Sequence, residues 1–143
     1  LYCDRVTDPG NMGTIIRICD AVDAGLMLSS GCVEIYSPKT VRSSMGSFFH
    51  TEICEDVSYS ELEAMKKDGY KIISGALSDK TENYIDTDYG DKTVIVVGNE
   101  ANGICDEVLS MSDSIVKIPI WGKAESLNVG VSAAILLYEA KRR

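Results

Sequence analysis

The segment Thr93-Val94-Ile95-Val96-Val97-Gly98-Asn99-Glu100-Ala101-Asn102-Gly103 runs an unbroken β-branched stretch into a polar loop bracketed by two glycines. Val and Ile without polar alternation suit a strand buried on both faces, as in the middle of a parallel sheet. Gly98 and Gly103 permit close backbone approach and unusual φ angles. Glu100 stands at the strand's carboxyl end, where open α/β sheets bind ligands. The loop is neither a GxGxxG fingerprint nor a Walker loop, because no Gly-Lys-Ser/Thr follows. A polar strand-to-helix turn accounts for it equally well at this point.

Outward from that strand, apolar runs alternate with helical patterns. Leu1 to Val6 predicts a strand, Asp8-Pro9-Gly10-Asn11 a turn, and Met12, Ile15, Ile16, Cys19 and Val22 one face of a helix closed near Gly25. Leu26 to Ser29 and Val33 to Tyr36 read as short strands, Lys39 to Phe49 as a helix, and Ser60 to Asp68 as a helix with Ser60 and Glu63 as its capping box. Tyr70 to Ala76 is a further buried strand, Asp106 to Met111 a short helix, Ser114 to Ile118 a strand, and a last helix starts at about Asn128. The class is α/β, a mainly parallel sheet flanked by helices. Three loops leave strand ends with unusual composition, at 75–78, 98–103 and 118–128, and are expected to share one pocket.

Composition narrows the function. A chain of 143 residues, 45% hydrophobic and 25% charged, builds one domain with a single core and contains no apolar run of membrane-spanning length. Cysteines stand at 3, 19, 32, 54 and 105 with a lone His50, which is placed on a strand, and no C-x-x-C pair; this speaks against zinc and a disulfide framework and for reduced core thiols in a cytoplasmic protein. The net charge of −8 is concentrated in residues 55–113, read as a solvated acidic face. Such a chain is a poor generic nucleic-acid binder. The opening LYCDRVTDPG has no targeting features and no initiating Met, and reads as the start of a domain inside a longer protein.

Asn11-Met-Gly-Thr-Ile-Ile-Arg17 puts Asn11 and Arg17 at the start of a helix, whose free N–H groups attract phosphate or an oxyanion; a capping Asn11 and a surface Arg17 are the plainer alternative. Ile118-Pro119-Ile120-Trp121-Gly122 leads to Ser126-Leu127-Asn128. Ser126 or Asn128 serves as a helix cap, and the apolar lining with Trp121 offers a wall for a flat heterocycle. No Ser or Cys comes with a local base, so covalent catalysis is not indicated.

In this order, the segments Asp8 to Arg17, Val97 to Gly103 and Ile118 to Val129 resemble the motifs of the SpoU (TrmH-like) family of SPOUT-class RNA methyltransferases, and the resemblance spans essentially the whole chain. It implies a C-terminal trefoil knot, a homodimer, S-adenosylmethionine as cofactor, no metal, and methyl transfer to a ribose 2′-hydroxyl of ribosomal or transfer RNA. Ala76, Leu77, Gly98, Asn99, Glu100, Gly103, Ile118, Pro119, Ile120, Ser126, Leu127 and Asn128 are the implied cofactor positions. Asn11, Arg17, Glu100, Ser126 and Asn128 are the implied catalytic positions. A guanidinium is a poor base, so Arg17 is assigned to an RNA phosphate and the developing alkoxide, Asn11 and Glu100 to orienting Arg17 and the ribose, and Ser126 and Asn128 to fixing the loop. Methylation of a base nitrogen and a non-catalytic cofactor-binding module are the alternatives. The resemblance also implies an upstream RNA-binding domain outside residues 1–143; from its charge of −8 the chain by itself is expected to bind RNA weakly, with Arg5, Arg17, Lys39, Arg42 and Lys123 as a local positive patch.

Overall fold

The computed structural model describes residues 1–143. Seven strands, β1 (Tyr2–Asp4), β2 (Leu26–Leu28), β3 (Ile53–Cys54), β4 (Lys71–Gly75), β5 (Glu82–Asn83), β6 (Thr93–Gly98) and β7 (Ser114–Lys117), form one sheet in the order β3-β2-β1-β6-β4-β7-β5. Every strand pair is parallel. The helices are α1 (Pro9–Val22), α2 (Pro38–Ser43), α3 (Tyr59–Ala64), α4 (Asp106–Met111) and α5 (Val129–Arg142), with 3-10 turns at Ser47–Phe49 and Met65–Asp68.

The β-branched run of β6 lies centrally, as expected, and its side chains alternate between two cores. Ile95 and Val97 join Met12, Ile15 and Ile16 of α1 and Leu136 of α5 on one face. Val94 and Val96 join Leu62 of α3 and Val108 of α4 on the other. Complete burial of each such side chain contributes roughly 1.5–3 kcal/mol, so helices with the right spacing are held to the sheet regardless of modest intrinsic propensity.

Local chemistry shifts several expected boundaries. Asp8, not Asn11, caps α1, accepting from the Asn11 N–H at 2.8 Å, and Asp23 in the left-handed region ends the helix before Gly25. Residues 33–36 form no strand, since β3 takes the place beside β2; the Val33 N–H instead reaches the Val6 carbonyl. The helix expected over 39–49 breaks at Met45 and Gly46, both at positive φ, so His50 falls in an exposed turn and not on a strand. Ser58 with Glu61, rather than Ser60 with Glu63, makes the capping box of α3. Cys54 is exposed, unlike the buried Cys3 and Cys19.

At the carboxyl end of β1 the buried Asp4 carboxylate accepts from Arg5 Nε and Nη2 at 2.9 Å each, from the Tyr59 hydroxyl at 2.7 Å and from the Cys105 N–H at 2.8 Å. One side chain thereby ties β1 to α3 and to the start of α4. Burial opposes its ionisation, but the Arg5 guanidinium, the Tyr59 hydroxyl and the Cys105 N–H outweigh it and hold the carboxyl below its ordinary value.

Asp4→Ala orphans these donors and is expected to lower the unfolding free energy by about 3 kcal/mol in denaturant titration. Because the folded-state pKa lies below the unfolded value of about 3.9, the wild-type contribution is complete above that pH and is lost as pH falls through the folded value. The variant should lack that part of the acid-side slope.

Candidate active site

Glu100 leaves the end of β6 and turns back over the start of α1. Its Oε2 accepts from the Thr7 N–H at 3.2 Å and the Thr7 hydroxyl at 3.3 Å; its Oε1 accepts from the Asp8 N–H at 3.1 Å and Asn11 Nδ2 at 3.3 Å. Asn11 Oδ1 in turn accepts from Asn128 Nδ2 at 2.8 Å. Asn128 Oδ1 caps α5, taking the N–H groups of Gly130 at 2.9 Å and Val131 at 3.3 Å. Three residues drawn from three separate sequence segments thus form one polar chain. Partial burial works against ionisation of Glu100, but backbone N–H groups of Glu100 itself, Asp8 and Thr7 and the Asn11 amide prevail, and its carboxyl is held below the ordinary value.

This geometry corrects the expectation of an anion site at α1. Asp8 and Glu100 already place two carboxylates on the helix's positive end, which satisfies the dipole and repels a further anion. Arg17 lies outside the chain of amides: it is exposed and forms no ion pair.

Beside Asn128 an apolar cleft opens between the ends of β4 and β7 and the side of α5. Of the expected cofactor positions, Ala76, Leu77, Ile118, Ile120, Ser126 and Leu127 line it. Gly98, Asn99, Glu100, Gly103, Pro119 and Asn128 do not, so two of the three loops share the cleft and the third reaches it through Asn11 and Asn128. Asn99 is spent locally, its Oδ1 accepting the Ala101 and Asn102 N–H groups and its Nδ2 donating to the Arg5 carbonyl. Gly98 is required by packing, since a Cβ there would stand 2.3 Å from the Gly103 carbonyl carbon. Trp121, expected as a wall, is 92% exposed and outside the lining.

Gly75, Val116 and Lys117 at the strand ends and Ser132 and Leu136, four residues apart on α5, complete the lining and were missed from sequence; for the α5 pair, helical spacing after the Asn128 cap was the available signal. The backbone N–H groups of Leu77, Ile118, Ile120 and Leu127 donate no hydrogen bond within the chain, so they offer donors at the rim of an apolar slot. The cleft encloses about 90 Å³, less than the roughly 300 Å³ or more of a small-molecule pocket. A larger cavity of about 570 Å³ lies at the amino ends of β1, β2 and β6, away from the polar chain. No group of three or more His, Cys, Asp or Glu is arranged to hold a metal ion.

The sequence profile described as the SpoU rRNA Methylase family matches residues 1–138. A 23S rRNA (guanosine(2553)-2'-O)-methyltransferase, RlmP, of Bacillus subtilis (strain 168) is 38% identical over 144 residues, covering 99% of this chain and 57% of its own length. A tRNA (guanosine(18)-2'-O)-methyltransferase of Aquifex aeolicus is 32% identical over 146 residues, covering all of this chain and 68% of its own. The crystal structure of an AdoMet-bound rRNA methyltransferase from Sinorhizobium meliloti superposes with a TM-score of 0.91 at 34% identity, over 99% of this chain and 54% of that one. The chain therefore spans little more than half the length of several proteins it matches.

Glu100→Ala is expected to leave the fold intact while releasing the Thr7 and Asp8 amides. Loss of a hydrogen bond to a charged group should speed their hydrogen exchange by about tenfold or more relative to the wild type, with the amides around Asp4 unchanged. The chain belongs to the SpoU rRNA methylase family.

Proposed function

We propose that this domain transfers a methyl group from S-adenosylmethionine to a ribose 2′-hydroxyl of ribosomal or transfer RNA. The observation that carries the reading is the continuous Glu100–Asn11–Asn128 chain abutting an apolar cleft with unpaired backbone donors. The names of the Bacillus and Aquifex relatives, both 2'-O-methyltransferases, support it.

The cleft fits the cofactor's chemistry: Ile118, Ile120, Leu127 and Leu136 suit an adenine ring, and the free N–H groups of Leu77, Ile118, Ile120 and Leu127 suit its polar edge. S-adenosylmethionine supplies, when bound, a methyl on a positively charged sulfur that is already an activated leaving group. The chain's residues must then hold the ribose in line and ease loss of the hydroxyl proton. Asn11 and Asn128 hold the two entering helices in register, Glu100 fixes Asn11, and Ser126 stands at the rim. A guanidinium is a poor base, so Arg17 binds an RNA phosphate and stabilises the developing alkoxide, while the phosphate accepts the proton.

A C-terminal trefoil knot belongs to this reading. It is supported by β7 entering between β4 and β5, which sends the 118–128 segment out beside the loops that follow β4. A homodimer does too, supported by the exposed Val131 and Tyr138 on α5 and by an Arg17 that no group of its own chain engages. No helix is long and apolar enough to cross a membrane, and a cytoplasmic location is part of the same proposal. The net charge of −8 supports RNA capture by a further domain outside residues 1–143. Within them Arg5 is taken by Asp4 and contributes no free charge.

Incubation with methyl-labelled S-adenosylmethionine and bulk ribosomal or transfer RNA, followed by nucleoside digestion, should yield 2′-O-methylated nucleosides. Arg17→Ala is expected to lower the rate by about 100-fold or more with cofactor affinity by calorimetry unchanged and a dimer by light scattering. Label on a base nitrogen, or loss of cofactor binding in the variant, would overturn the assignment.

A further inference from the structure

The segment Tyr36 to Phe49 is unused by the site described above, yet it carries three strongly exposed apolar side chains close together in the chain. Phe49 is 77% exposed, Met45 72% and Tyr36 64%. The rings form a chain: Phe48 lies 5.6 Å from Tyr36 at 73° and 5.6 Å from Phe49 at 82°. Edge-to-face packing fixes the rings while leaving at least one face of each outer ring open, the geometry on which a flat heterocycle stacks. Met45 is held there at a φ of 53°, a conformation unfavourable to residues other than glycine.

The charge of this patch is opposite to that of the molecule. No Asp or Glu occurs between Glu34 and Glu52, whereas Lys39 and Arg42 are both exposed and neither forms an ion pair, in a chain of net charge −8. Its position is fixed by close packing on α1. A Cβ on Gly13 would come within 2.3 Å of the Ser43 Cβ, so α2 lies almost against the helix backbone. Just past the aromatic cluster, the Thr51 hydroxyl donates to the Ile16 carbonyl at 3.2 Å, one residue before Arg17. The rings and the two cations therefore border the face of α1 that carries Arg17.

We infer that Tyr36, Phe48 and Phe49, with Lys39 and Arg42 at their border, form a stacking platform for unpaired bases of the substrate RNA beside the nucleotide to be methylated. This rests on the RNA-methyltransferase reading and adds to it a place where single-stranded character is sensed. Aromatic faces take any base, so the platform selects unpaired RNA without selecting sequence. The cations hold the flanking phosphates and give register. A platform beside Arg17 also supplies affinity where the two carboxylates at the start of α1 turn phosphates away.

The test compares a short single-stranded RNA of mixed sequence with the same backbone lacking bases, by fluorescence anisotropy over a range of salt, using the 143-residue chain. The wild type should bind the base-bearing RNA more tightly than the abasic one. Phe49→Ala should weaken binding of the base-bearing RNA by about tenfold and leave the abasic RNA and the salt slope unchanged, and Phe49→Tyr should restore it. The double variant Lys39→Ala/Arg42→Ala should instead reduce the slope of log affinity against log salt by about 1.4. Unchanged melting temperature and cofactor affinity show that the variants fold. Equal affinity for the two RNAs in the wild type, or no effect of Phe49→Ala, overturns the platform. So does a light-scattering mass that falls from dimer to monomer in Phe49→Ala, which would make this face a contact between copies of the chain. Binding is read without turnover, so a wild type that methylates no RNA would sink the catalytic reading while leaving this result to stand or fall separately.

Discussion

The Asp4 carboxylate is the constraint on which the rest of the structure depends. It is fully buried at the switch in strand order where β1 meets β6, and it is tolerable there only because Arg5, Tyr59 and Cys105 satisfy both oxygens. Arg5 adopts a positive φ of 57° to bring its guanidinium back onto its neighbour. Its N–H then donates to Ser29 Oγ and its carbonyl accepts from Asn99 Nδ2. The hub therefore fixes the end of β1, the loop after β2 and the loop after β6 together.

From that fixed point the polar chain follows mechanically. Val6 to Asp8 leave β1 on a defined path, so the Thr7 and Asp8 N–H groups meet Glu100, and Asp8 is placed to cap α1. Asn11 then lies one turn into α1, facing Asn128 at the start of α5. The crossing of these helices is tight: a Cβ on Gly130 would approach Thr14 Cγ2 to 2.9 Å. The small Gly130 at this crossing brings the two helix starts close enough for the Asn11 and Asn128 amides to bridge them. Electrostatics and packing cooperate here, because amides bridge the helices without adding a charge to the two carboxylates already present.

The two-sided burial of the sheet confines the open surfaces to its edges and to the outer flanks of its helices. Helices cover both faces, and the open surfaces include the carboxyl edge with its apolar cleft, the cavity at the amino ends of β1, β2 and β6, and the flank of α1 carrying Arg17 and the aromatic segment. Arg17, Lys39 and Arg42 are cations left without carboxylate partners on that flank, in a chain of net charge −8.

The run Val94 to Val97, the helical spacing from Met12 to Val22 and the cap at Asn128 were legible because hydrophobic period and capping chemistry are local properties of the chain. The motif order also made the family legible, and it singled out Asn11, Glu100 and Asn128, which the structure joins by hydrogen bonds. Local rules failed where two local solutions are equivalent. Ser58 and Ser60 are each followed three residues later by Glu, and burial of Leu62 on the sheet accompanies the choice of the first. Residues 33–36 have strand composition but no ladder to join, because β3 occupies the edge. The Asp4 hub, the two carboxylates over α1 and the split of the three loops between a cleft and a polar chain were decided by tertiary structure alone. Each rests on contacts such as Cys105 to Asp4 and Asn128 to Asn11, 101 and 117 residues apart, and no period in the sequence encodes which distant polar groups will be buried together.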